Sequence, residues 1–191
     1  MLQDLMISKV RVKLLQIFLS QPHEIFYVRQ LTRATNGEIN AVRRELARME
    51  KAGMVKKESR GNRLYYCFDK GYPLYGDLLS LISKTIGLGE KILKKKTKIG
   101  KIKFAMLSGR FVRHLPTKEG GVDLLVVGKI ALAELAKIIK AEEVRLGREI
   151  NYSVMTKEEF DFRKKRRDPF LLGILGGSRV MLIGDEEELV S

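Results

Sequence analysis

Phe104-Ala105-Met106-Leu107-Ser108-Gly109-Arg110, a polar linker, and Gly121-Val122-Asp123-Leu124-Leu125-Val126-Val127 are the stretch on which the fold turns. Both halves are short apolar runs bounded by turn residues, the pattern of buried strands. The spacing predicts strands over 102–107 and 122–127, the first running into Ser-Gly and the second carrying an aspartate at its start. Downstream the periods alternate: helix 131–146, strand 149–155, helices 156–166 and 169–175, strand 179–183. Thr156 and Glu159 have the spacing of a capping box, and the acidic run Asp185–Glu188 fits a helix N-terminus, where the dipole favours carboxylates. This alternation implies an α/β arrangement with a mixed sheet after residue 99.

Upstream the pattern is helical. Gly71-Tyr72-Pro73 punctuates the chain, and one long helix is predicted from Leu74 to about Leu93. Leu74, Leu78, Leu81, Leu88 and Ile92 form one apolar stripe on it; Leu79, Ile82, Ile86 and Leu93 form a second. Two stripes imply burial on two sides, one of them against a second copy of the chain. Lys94–Lys98 ends this helix, as a solvated cap or as a phosphate contact. Before residue 70 come helices over 7–19, 27–34 and 38–52, then strands over 54–58 and 64–68. Pro22 stops the first helix, Thr35-Asn36-Gly37 is a turn, and Gly53 is a left-handed cap. Thr35 and Glu38 also have capping-box spacing. Ser59-Arg60-Gly61-Asn62-Arg63 reads as a hairpin tip, where Gly and Asn accept positive φ.

The net charge of +14 favours a polyanionic partner. The excess is concentrated early: residues 1–68 hold 13 basic and 6 acidic side chains, net +7, whereas 101–191 hold 17 and 14, net +3. No apolar run is long enough to cross a bilayer, and the first residues lack a signal peptide's pattern, so a cytoplasmic protein without membrane attachment is expected. Cys67 is the single cysteine and His23 and His114 lie far apart, so soft ligands cannot assemble a zinc site. Cys67 reads as a small strand residue. The run Arg163–Arg167 reads either as a solvated helix end or as an auxiliary nucleic-acid contact.

The order helix, helix, helix, hairpin is that of a winged helix-turn-helix. Tyr27–Thr32, Val42–Val55 and Arg63–Tyr66 resemble the ArsR/MarR-like winged-helix regulators, over about residues 8–68. The helix 38–51, with Ile39, Val42, Leu46 and Met49 buried, turns Asn40, Arg43, Arg44, Arg48 and Lys51 outward. Arg and Asn pair with guanine and adenine edges in the major groove, and Arg60, Asn62 and Arg63 at the hairpin tip suit phosphates or the minor groove.

Residues 72–191 resemble the nucleotidyltransferase domain of the DNA polymerase β superfamily. The resemblance rests on Pro73–Leu78, Lys84–Leu88, Ser108-Gly109, Val122–Gly128, Leu146–Asn151, Thr156–Phe160 and Leu182–Leu189. It implies a Gly-Ser turn that holds a triphosphate and an Asp-x-Asp pair on one strand face that holds magnesium. Here Gly109 is kept, Arg110 replaces the serine, Gly121 replaces the first aspartate and Asp123 remains. His114 stands where that family often has glycine, Glu149-Ile150-Asn151 offers an amide where a third carboxylate is expected, and Glu119 is a possible substitute in the preceding loop.

The chain is therefore expected to be α+β: a winged helix-turn-helix over 1–70, a helical linker over 71–98 and a nucleotidyltransferase-like domain over 99–191. The expected function is that of a sequence-specific, homodimeric transcriptional regulator of double-stranded DNA. In this reading the degenerate domain has no catalytic residue and no cofactor, and serves as sensor or scaffold. A nucleotide-binding remnant at Ser108, Gly109, Arg110 and Asp123 could take a nucleotide or anion effector. The alternative is an active nucleotidyltransferase, using magnesium, that modifies a protein, RNA or small-molecule acceptor.

Overall fold

The structure, a computed structural model, describes residues 8–117 and 120–191. These residues form a mixed α+β chain in two compact units that divide between Thr85 and Ile86.

The first unit is built from α1 (Lys9–Ser20), β1 (Phe26–Tyr27), α2 (Val28–Thr35), α3 (Ile39–Lys51), β2 (Val55–Arg60), β3 (Arg63–Phe68) and α4 (Tyr75–Thr85). The Ser8 hydroxyl caps α1 by accepting from the Arg11 N–H. Val12, Leu15 and Leu19 recur at helical spacing on α1 and are buried with Leu31, Val42, Leu46 and Met49 of α2 and α3. The expected Thr35–Glu38 capping box does not form. Thr35 is the last residue of α2, buried, and its hydroxyl donates to the Leu31 carbonyl at 2.7 Å. Glu38 itself caps α3, its carboxylate accepting from the N–H groups of Asn40 and Ala41. Gly53 takes φ +74° just past α3, as expected of a left-handed cap. β2 and β3 pair antiparallel around a Gly61-Asn62 tip, and β1 adds to the far edge of β3. Buried Glu45 ties α1 to α3 through Arg11 and Arg48, each at 2.8 Å.

The single helix expected over 74–93 is two helices. α4 stops at Thr85, Ile86 is extended, and Gly87 takes φ +64° at the start of α5 (Gly87–Lys94). Glycine adopts that conformation without steric cost, so the apolar period runs on through a break in the helix. The stripes are divided accordingly: Leu79 and Ile82 are buried in the first unit, Leu88 and Ile92 in the second. Residues 71–98 are thus shared between the units, and Leu74, at the head of the first stripe, is 53% exposed.

The second unit continues with α6 (Lys96–Ile99), β4 (Gly100–Ser108), α7 (Gly109–Val112), β5 (Leu124–Ile130), α8 (Leu132–Leu146), β6 (Tyr152–Met155), α9 (Lys157–Lys165), α10 (Pro169–Leu175), β7 (Arg179–Ile183) and α11 (Glu186–Val190). The sheet order is β6-β5-β4-β7; β4 is antiparallel to both neighbours, and β5 is parallel to β6, so the sheet is mixed. Phe104 and Met106 of β4 share a face with Leu125 and Val127 of β5, and pack with Phe160, Leu171 and Leu189. Residues of opposite parity (Ala105, Leu107, Leu124, Val126) are buried too, so the central strands are covered on both faces. Thr156 caps α9 and Asp185 caps α11, as their spacing predicts.

Several strand boundaries differ from expectation: β4 is longer at both ends, and β5 runs on to Ile130. β5 begins at Leu124 rather than 122, and β6 at Tyr152 rather than 149. The residues left out at the starts of β5 and β6 are held by other bonds. Ile150 N–H donates to the Glu143 carboxylate, and the Asn151 carbonyl accepts from the Asp123 and Leu124 N–H groups.

Glu142 of α8 is buried and pairs with Lys91 of α5 at 2.6 Å and with Arg145. Burial pushes its carboxyl up, and the Arg145 and Lys91 cations together outweigh that and hold it below its ordinary value of 4.5. A group whose folded value is lowered contributes stability above its unfolded value and loses it as pH falls through the folded one. Glu142→Gln is therefore expected to lower the stability of this unit by about 1–2 kcal/mol at neutral pH, since both cations can rehydrate. Urea unfolding should show the gap to wild type closing as pH falls below the ordinary value of 4.5 and through the lowered folded one. A gap that persists there would remove the ionic explanation.

Candidate functional site

In the first unit a groove of about 720 Å³ runs between α2, α3 and the β2–β3 hairpin. Arg29 and Arg33 enter from α2, Arg43 from α3, and Asn62 and Arg63 from the hairpin tip, with Tyr27 at one end. Among the described residues no carboxylate lines it. Four guanidiniums therefore converge around a space large enough to admit a phosphate backbone. Arg29 and Arg33 are an i, i+4 pair on the exposed face of α2, opposite buried Leu31 and Thr35. Sequence reasoning passed over these two arginines.

The other expected contacts divide into free and tethered cations. Asn40, Arg43, Arg44, Arg48 and Lys51 are all exposed on α3, as the helical period predicts. Arg48 is tied to Glu45, and Arg60 is tied to Glu58 through two hydrogen bonds of 2.9 Å while lying over the Tyr65 ring. By contrast Arg29, Arg33, Arg43 and Arg44 make no ion pair among the described residues. Arg63 stacks over the Tyr27 ring at 5.3 Å, which orients its guanidinium without neutralising it. The N-terminus of α3 is not an anion site. The Asn40 and Ala41 N–H groups, with Arg44 and Arg43 nearby, hold the Glu38 carboxyl below its usual range, and that carboxylate occupies the helix end.

The second unit places the 104–123 stretch around a separate pocket. β4 ends at Ser108, whose hydroxyl accepts from the Phe111 N–H and caps α7. Gly109 donates its N–H to the Ser178 carbonyl at 2.6 Å, and a Cβ at 109 would lie 2.1 Å from the Ser178 hydroxyl oxygen. That glycine is thus required by the close approach of Ser178, and its amide is already used. Arg110 donates from Nε to the Pro116 carbonyl at 2.9 Å. Arg113 bonds the Ser178 hydroxyl at 2.9 Å. His114 takes φ +56°, a conformation that suits glycine better.

Asp123 is fully buried and its carboxylate is fully engaged. The Thr117 hydroxyl lies 2.8 and 2.9 Å from its two oxygens, the Asn151 N–H donates at 3.1 Å, and Arg148 stands 3.7 Å away. Arg148 in turn lies over the Phe111 ring at 5.1 Å. Asp123 therefore joins the 117 loop, the start of β6 and α7. It is a strut, and the donors around it are those that neutralise a carboxylate rather than leave it for a cation. Gly121 offers no side-chain oxygen, Asn151 turns its N–H toward Asp123, and Glu149 is exposed. Glu119 lies outside the described residues. Magnesium prefers several oxygen ligands in near-octahedral order, and this donor set does not fit it. Among the described residues no three His, Cys, Asp or Glu side chains form a metal-holding group.

The remaining basic runs are partly spent. Arg163 pairs with Glu159 and Asp168, and Lys164 donates to the Leu189 carbonyl. Lys165, Arg166 and Arg167 are exposed. Lys94 ends α5 and pairs with Glu90, and a further short helix, α6, follows it. No helix among the described residues is long and apolar enough to cross a membrane. In comparison with known proteins, the chain matches no family model, no curated protein and no solved structure.

Proposed function

We propose that this chain is a sequence-specific transcriptional regulator of double-stranded DNA, with a winged helix-turn-helix as its first unit. In this reading α3 is the recognition helix, the β2–β3 hairpin is the wing, and the arginine groove straddles the phosphate backbone between them. That groove is the observation that carries the proposal. Four arginines meet there without a lining acid among the described residues, an arrangement that costs self-repulsion unless a polyanion fills it. The second unit is read as a nucleotidyltransferase-like domain that has lost its chemistry and serves as sensor or scaffold. Pairing of two copies on two half-sites belongs to the same reading, resting on the way such regulators read DNA. A cytoplasmic location follows from the same role. The alternative, metal-dependent nucleotide transfer, is poorly supported, because the one remaining carboxylate is bonded to Thr117, Asn151 and Arg148.

The test is selection of genomic fragments with the purified chain, followed by titration of the retained duplex against salt. Affinity is expected to fall with a log–log slope of roughly −0.9 per phosphate contact. Arg44→Ala, on the exposed face of α3, should cost roughly 1–3 kcal/mol of specific binding and relax preference at one base pair. A chain that retains no fragment and binds no duplex at moderate salt ends the regulator reading.

A further inference from the structure

We infer that the second unit holds a small organic anion, one carboxylate or phosphate group on a flat apolar body, in the pocket between the end of β4, Gly120–Val122 and α10. The pocket has a volume of about 410 Å³, within the range of small-molecule sites. Its apolar wall is formed by Met106, Val122, Phe170 and Ile174. Its polar wall carries Arg110 with the hydroxyls of Ser108 and Ser178, and among the described residues no carboxylate lines it, Asp123 being buried behind Thr117.

Arg110 sets the head group. Its Nε is bonded to the Pro116 carbonyl, which fixes the guanidinium plane, and its two terminal nitrogens have no partner among the described residues. Such a fork matches the paired oxygens of one carboxylate or phosphate. One cation balances one anionic group. A triphosphate would bring several more charges, and among the described residues Arg110 is the one cation that lines the pocket.

α10 sets the body. Of this apolar helix only Leu171 is buried, while Phe170 is 42% exposed and faces the pocket. Gly173 sits in the middle of α10, where glycine costs about 1 kcal/mol relative to alanine. Packing does not explain it: a Cβ there would meet nothing within 4 Å. Gly173 lines the pocket, as do Gly121 and Gly177, so bare backbone leaves room for a ring to approach between the apolar side chains. An open, apolar, glycine-lined slot ending in one oriented guanidinium suits an aromatic acid.

The inference deepens the sensor part of the proposed function and rests on that part alone. It is measured without DNA, so a chain that binds duplex but no anion, or the reverse, separates the two failures. Benzoate and phenyl phosphate are titrated into the full chain, with benzamide and inorganic phosphate as the body and the head group alone. The readout is the methyl shifts of Met106, Val122 and Ile174. Saturable shifts are expected with either or both aromatic anions, and binding at least tenfold weaker with benzamide and with phosphate. Arg110→Gln should weaken the aromatic anion at least tenfold, and Gly173→Leu should abolish its binding while the circular dichroism spectrum is retained. ATP is titrated with and without magnesium. Absence of saturation by either anion at about 10 mM, where even millimolar affinity would show, overturns the inference. So does binding that is indifferent to Arg110, or ATP binding that magnesium strengthens.

Discussion

Exchanging Arg29, Arg33, Arg43 and Arg63 together for alanine is expected to lower duplex affinity about 4,000-fold at 0.1 M salt and to flatten the salt slope by about 3.6. Each phosphate contact contributes a slope of about 0.9, worth about eightfold between 1 M and 0.1 M salt, and four such contacts multiply. The four side chains line one groove and make no ion pair among the described residues, so removing them breaks no salt bridge. Arg63 gives up only its stacking on Tyr27, about 0.5–1 kcal/mol at an exposed site. Arg60→Ala should do far less, about threefold or under, because Glu58 already neutralises that guanidinium and phosphate would have to displace it. The measurement is a duplex titration of each variant at several salt concentrations, with circular dichroism to confirm the fold. A folded quadruple variant that binds within tenfold of wild type would mean that the groove does not hold the backbone.

The contrast between Arg60 and Arg29 marks where sequence reasoning stops. Periodicity placed the outward face of α3 correctly, because Val42, Leu46 and Met49 recur at a spacing that only one helix face can satisfy. The hairpin tip was equally legible, since Gly61-Asn62 between two short runs admits few other turns. Periodicity says which side is wet; it does not say which wet cation is already paired. Glu58 and Arg60 are two residues apart and so on one face of a strand, a pairing that could have been read from spacing alone. Arg29 and Arg33 needed the groove to be seen, because Arg63 comes to them through the β1–β3 pairing of distant segments.

The helix break at Ile86 and the role of Asp123 were hidden for different reasons. The break lies at a glycine flanked by residues that keep the apolar period, and period cannot report a φ of +64° at one position. Asp123 shows its type in sequence but not its partners. Thr117 is near in the chain, yet Asn151 and Arg148 are brought to it only when β5 and β6 align. Whether a lone strand carboxylate is a ligand or a strut is decided by those long-range donors, and here they make it a strut.

Gly128→Ala and Gly173→Ala are the same chemical change and are expected to have opposite signs. Gly128 takes φ +145° on β5 and pairs with Ile102, where β4 shifts register between Ile102 and Phe104. A Cβ at 128 would stand 2.2 Å from the Lys101 carbonyl oxygen and 3.1 Å from the Lys103 nitrogen. These are backbone atoms of a central strand, so no rotamer change can relieve the clash, and the ladder itself must move. Backbone strain of about 1–3 kcal/mol adds to overpacking of about 1–3 kcal/mol, giving an expected loss of about 2–6 kcal/mol, centred on about 4. For a unit of this size the central value corresponds to a fall in melting temperature of about 15–30 °C. Gly173, in open space on α10, should gain about 0.5–1 kcal/mol as alanine. Thermal unfolding followed by circular dichroism checks both. A Gly128→Ala variant that melts within a few degrees of wild type would show that the two strands do not approach as closely as 2.2 Å implies, and the shifted register of β4 against β5 would have to be redrawn.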